Sequence, residues 1–183
     1  DALVVKFNGD ATLAGSMTAT SFIGDGSQLT NLPLLFSYNS NQAGGIEVAN
    51  YTTASGSRAF AVGNDNLAIG SSSTAMGRGT TASGDDSTAL GANTEASGDY
   101  SIAMGYQTNA IGNVSTAMGA NTVASGTVST AMGDTTIANG TVSTAMGGLT
   151  TASGNFSTSM GANTAASGDY SIAMGYQTNA IGN

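Results

Sequence analysis

The chain has 183 residues, 27 of them glycine, and sets three Lys or Arg against eleven Asp or Glu for a net charge of −8. It has no Cys or His, and no Lys or Arg follows Arg78. Thiolate and imidazole metal sites and the Ser-His-Asp and Cys-His catalytic arrangements are thereby excluded, and no basic face is left to displace counterions from the phosphates of a nucleic acid. A disulfide-stapled scaffold is excluded as well, and no cofactor is expected. No apolar run reaches the roughly 20 residues of a membrane helix, and the chain opens on Asp1 without a basic-then-apolar leader. These residues are therefore expected to be a soluble piece of a longer protein, with no direct membrane insertion of their own.

In chain order, "LVVKFNGDATLAG" (residues 3–15) holds two β-prone runs around Asn8-Gly9, a strong hairpin signal. "FIGDGSQLTNL" (residues 22–32) follows, and resembles a connector that recurs in phage tail fibres and other trimeric bacterial fibres. Pro33, the only proline, cannot donate to a strand ladder and marks a boundary. The organisation read from this is a β-rich fibre connector over 1–33, a transition segment over 34–51 and a repeat domain over 52–183.

Within the repeat domain glycine falls on every seventh residue from Gly56 to Gly182, nineteen in unbroken register. The text between the glycines alternates, so the period is fourteen: a half such as "STAMG" (residues 73–77) and a half such as "TTASG" (residues 80–84). A helix would lose about 1 kcal/mol at each glycine relative to Ala, and there is no paired apolar seam of the coiled-coil kind. The alternative is an all-β solenoid, a parallel β-roll of about nine coils in which each coil gives two short strands and two turns, with glycine supplying backbone freedom at the corners. Stacked at roughly 4.8 Å, the coils make a rod near ~43 Å long.

Alternation along a strand then assigns faces. Ser, Ala and Gly of the first half share one face, as do the first Thr, Ala and Gly of the second; these small columns suit a thin interior. Just before each first-half glycine stand Val62, Met76, Leu90, Met104, Met118, Met132, Met146, Met160 and Met174. Facing outward, this stripe is a long apolar patch to be buried by other copies of the chain, a candidate trimer interface. Alternation alone equally fits an inverted roll with Met inside.

The phrases "ASGDYSIAMG" (residues 96–105) and "ASGTVSTAMG" (residues 124–133) resemble the head repeats of YadA-like trimeric autotransporter adhesins. The likeness covers about residues 52–183, with Thr and Met mostly in place of the family's Val and Ile; Ile102 and Ile172 are closest to type. The resemblance implies a left-handed parallel β-roll, a homotrimer and surface adhesion. The family's neck, coiled-coil stalk and membrane barrel have no counterpart in these residues.

Other signals are weaker. "GRGTTA" (residues 77–82) matches a dinucleotide fingerprint but lies inside the repeat and precedes no helix. Asp85 and Asp99 occupy equivalent turns about 5 Å apart, the spacing of a carboxylate pair, yet on a ridge with no cleft. The second residue after each second-half glycine runs from Arg58, Ser72 and Asp86 to Tyr100, Val114, Val128, Val142, Phe156 and Tyr170. With Tyr106 and Tyr176 on the neighbouring corner, Tyr100, Phe156 and Tyr170 form the candidate ligand-contact surface, and the same residues could instead cover the edge of the trimer interface. The reading is a non-enzymatic trimeric adhesive fibre segment that meets a surface glycan or an extracellular matrix or surface protein. Its place is extracellular, on a cell surface or a virion fibre. A phage tail-fibre shaft or receptor-binding segment is the first alternative. An ice-binding solenoid is the second, although the Thr columns form no clean T-x-T array.

Overall fold

A computed structural model describes the strand segments 37–38 and 46–48 and residues 51–182, all within the compact unit Leu34–Asn183. The hairpin expected around Asn8-Gly9, the connector at residues 22–32 and the boundary at Pro33 lie outside the described residues, as does most of the transition segment.

The repeats wind into an all-β parallel solenoid. Five-residue strands, the first Phe60–Asn64 and the last Ile172–Tyr176, form one long sheet. At its start Ile46–Val48 pairs in parallel with Phe60–Asn64, and Ser37–Tyr38 pairs antiparallel with Ile46–Val48. Two-residue strands, from Thr53–Ala54 to Asn179–Ala180, form a second, ten-stranded sheet. Every parallel pairing joins residues fourteen apart, so that Met104 lies between Leu90 and Met118, and Ala110 between Ala96 and Ala124. The sequence period is thus the coil, and equivalent residues stack into columns.

Two alanine columns, one from each sheet, are fully buried, Ala61 to Ala145 on the long sheet and Ala54 to Ala166 on the short one. The Ser column (Ser73 to Ser157) and the Thr column (Thr80 to Thr164) close the interior at its sides. The Met column lies outside, half-buried along the rod and 59% exposed at Met174. Alanine, not methionine, therefore fills the roll, which removes the inverted arrangement that alternation allowed. Ser159, where an Ala stands in the other coils, meets Thr164 through a 2.6 Å hydroxyl–hydroxyl hydrogen bond.

The interior polar groups differ along the rod. Asn66, which stands between Thr52 and Thr80 in the Thr column, is fully engaged: its Nδ2 donates to the carbonyls of Val62 (2.8 Å) and Gly77 (2.9 Å), and its Oδ1 accepts from the Thr80 backbone N–H (3.0 Å) and Oγ1 (2.8 Å). Further along, buried hydroxyls such as Ser115 Oγ and Thr122 Oγ1 have no hydrogen-bond partner. A buried hydroxyl without a partner carries its desolvation penalty uncompensated, roughly 1–3 kcal/mol. Thr122→Val and Ser115→Ala are accordingly expected to stabilise the roll by about 1 kcal/mol each, seen as a higher guanidinium midpoint at equal protein concentration. A lower midpoint for both would show that the hydroxyls are engaged.

The corner before each long strand corrects the expected role of the second-half glycines. At the corner before each long strand a turn closes, for example Ser87 N–H to Gly84 C=O at 3.3 Å, and its left-handed residue is Asp86 at φ 54°. Gly84 itself has no positive φ. Left-handed positions favour Gly, Asn or Asp, yet this column holds Val114, Val128 and Val142 at φ 58°, 58° and 56°. Glycine is required elsewhere, for close approach: a Cβ on Gly112 would collide with the carbonyl oxygen of Gly126 in the next coil. The seven-residue glycine register is thus a packing constraint between coils, and its first-half members, Gly63 to Gly175, also supply backbone freedom, at φ values of 119° to 128° that other residues rarely adopt.

Candidate interaction surface

The long sheet turns two columns outward. Thr74–Ala75–Met76 sets the pattern, with Ala75 buried and Thr74 and Met76 half-exposed on either side of it. The proposed interface residues, Val62 to Met174, therefore share one face with a Thr-rich column, held in line by the fourteen-residue register. Outward Thr is paired with Met rather than with a second Thr, so the face is a mixed T-x-M array. The short sheet's outer face is variable, from Leu67 through Glu95 to Ile137.

Two corners flank the long face. On one, Tyr100, Phe156 and Tyr170 are exposed; Phe156 and Tyr170 stack with ring centroids 5.1 Å apart and planes within 2°. On the other, Tyr106 and Tyr176 end equivalent strands five pairing steps apart and are also exposed. The structure brings all five candidate contact aromatics to the two edges of the face that carries the Met column. Tyr100 and Tyr106 bracket one long strand, and Tyr170 and Tyr176 bracket its identical copy.

A backbone-capping ladder runs beside the first of these corners. Asp85 Oδ1 accepts the N–H of Ser71 at 2.8 Å, Asp99 that of Asp85 at 3.0 Å and Asn113 that of Asp99 at 3.2 Å. The ladder resumes with Asn155 to Thr141 (3.0 Å) and Asp169 to Asn155 (2.8 Å). The pair Asp85 and Asp99 is therefore committed to tying successive turns together, by hydrogen bonds to peptide groups that the strand ladder leaves open. Asp or Asn directly after the second-half glycine was the sequence signal for it. Among the described residues no group of three His, Cys, Asp or Glu is placed to hold a metal ion. In "GRGTTA", Gly77 ends in the strand Thr74–Arg78 and Thr81–Ala82 is again a strand, so no helix N-terminus follows to receive a phosphate.

A thin Ala-cored roll with an outward apolar stripe defines a fibre-forming repeat protein. The YadA head domain repeat (2 copies) matches at residues 68–94, 96–122, 112–136, 124–150, 138–164, 152–178 and 166–183, more than half of the chain. The chain belongs to the YadA head domain repeat family, and its repeats are those of a trimeric autotransporter adhesin-like fibre segment. The family is one of surface-exposed, homotrimeric adhesins, and such repeats are typical of non-enzymatic structural proteins. No curated protein matches the chain.

Proposed function

We propose that the chain is a non-enzymatic segment of a homotrimeric adhesive fibre, displayed outside the cell, that attaches to a surface glycan or to a matrix or surface protein. The single observation that carries this reading is the outward Met column. The interior is already closed by alanine, so Val62, Met76, Leu90 and the methionines to Met174 have no role in filling their own roll. Covering so long an apolar stripe takes other copies of the chain running alongside it.

The target-contact surface is assigned to the exposed edge aromatics Tyr100, Tyr106, Phe156, Tyr170 and Tyr176. Aromatic rings supply large apolar area with little rotamer entropy, and three chains repeating the same weak contact bind through avidity. Attachment is tested by passing the trimer over immobilised surface glycans and matrix proteins. Phe156→Ala with Tyr170→Ala is expected to weaken binding about tenfold or more, the range of a truncated aromatic hot spot, while the oligomer's mass stays unchanged. Binding untouched by replacement of all five aromatics would remove them from the contact surface.

A further inference from the structure

The outward column that opens each long strand is not uniform. It reads Phe60, Thr74, Thr88, Ile102, Thr116, Thr130, Thr144, Thr158, Ile172. Its bulky members are three pairing steps apart between Phe60 and Ile102, and five apart between Ile102 and Ile172. Ala61, Ala103 and Ala173, the residues after them, are buried in the roll, so the bulky side chains project from the face that bears the Met column. The fold itself does not call for them, because six other coils place Thr there in the same strand.

We propose that Phe60, Ile102 and Ile172 set the axial register in which copies of this chain pack against one another along the long face. The partner is a second copy of the chain, and the inference rests on the homotrimer reading above and deepens it. A face built from repeated Thr and Met looks nearly the same after a slip of one coil, about 4.8 Å. Such a slip forfeits only contacts at the ends, so a perfectly regular rod would assemble in several staggers. Strand systems with this degeneracy need residues that distinguish one register from the next.

An irregular set of marks does this. The gaps of three and five steps differ from each other and from their total, so any stagger brings at most one bulky residue to the level of another. Only zero stagger brings every mark to a common level in all copies, as closed three-fold symmetry requires. In a staggered assembly an Ile faces levels shaped by Thr, leaving a void on one side and overpacking on the other.

The absence of cysteine and lysine along the described rod makes photochemical capture the practical test. A benzophenone amino acid replacing Thr130, on the same face, captures whatever lies against it in a neighbouring copy, and mass spectrometry of the digested adduct identifies the captured coil. The full chain is expected to give capture in one coil. The triple variant Phe60→Thr, Ile102→Thr, Ile172→Thr is expected to keep its trimer mass in light scattering while capture spreads over positions fourteen residues apart, the coil repeat, with no coil holding the majority. Capture confined to the parent's coil in the triple variant overturns the proposal. So does a triple variant that is folded but monomeric, which makes these side chains an association contact only. A parent chain that is itself monomeric overturns the homotrimer reading instead.

Discussion

Gly119→Ala is expected to break the roll near its middle, with a loss of about 4 kcal/mol or more from backbone strain and overpacking together. Gly119 sits at φ 124°, and a Cβ there would collide with the carbonyl oxygen of Gly133 in the next coil. A clash with backbone cannot be relieved by changing a rotamer. The coils must part, and the pairing of Thr116–Ala120 with Thr130–Asp134 goes with them. Because a solenoid is held by nearest-neighbour contacts, the rod should divide into two shorter stacks. The expected record is a lower and broader melting transition by circular dichroism, with new proteolytic cleavage near the substituted coil. Gly148→Ala is the control: nothing lies within 4 Å of its would-be Cβ, and the next coil carries Ala162 at that position. Its melting curve should match the parent's, and a Gly119→Ala chain that also matched would sink the close-approach account.

Met132→Asp is expected to dissociate the assembly while leaving each roll folded. Met132 stacks between Met118 and Met146 on the outer face, whereas its neighbour Ala131 is fully buried, so the substitution does not touch the interior. Burying a Met side chain contributes roughly 1.5–3 kcal/mol. An unpaired carboxylate at the same place adds several kcal/mol of desolvation cost per chain. Three such changes per trimer correspond to an affinity loss of about a thousandfold or more. Light scattering at micromolar concentration should then report monomer, with an unchanged β spectrum. Ile137→Glu on the short sheet is the matched control, since Glu95 already occupies the equivalent column. It should leave the mass as it is. If Met132→Asp also kept the parent's mass, the stripe would not be the contact between copies.

Much of this architecture was legible before any coordinates. The period of fourteen and the grouping of the small residues on one strand face and Thr with Met on the other follow from counting, because a solenoid maps sequence period directly onto strand pairing; which face is the interior does not. The identical sixteen-residue phrases at 98–113 and 168–183 likewise land as equivalent strands, Ile102–Tyr106 and Ile172–Tyr176. The candidate site was legible only as columns. That Tyr100 and Tyr106 flank the Met-bearing face, and that Phe156 and Tyr170 stack, depends on where the corners turn and on side-chain angles that no periodicity encodes.

Glycine shows where sequence reasoning stopped short. Its strict spacing invites one conformational explanation, which holds for the positive-φ glycines Gly63 to Gly175 but not for the second-half glycines: there the left-handed corner is held by Asp86, Tyr100, Val114 and their equivalents, while the glycine lies where neighbouring coils touch. The sequence by itself determined the coil length, the fourteen-residue pairing and which residues share a strand face, since alternation and repetition are local rules that every coil obeys alike; that alanine rather than methionine fills the interior took the burial in the folded roll. Only the tertiary structure decided which outward columns share a face, which peptide groups the Asp and Asn ladder caps, and why each glycine cannot be alanine. Those features arise between coils, from contacts between residues fourteen positions apart that no single repeat contains.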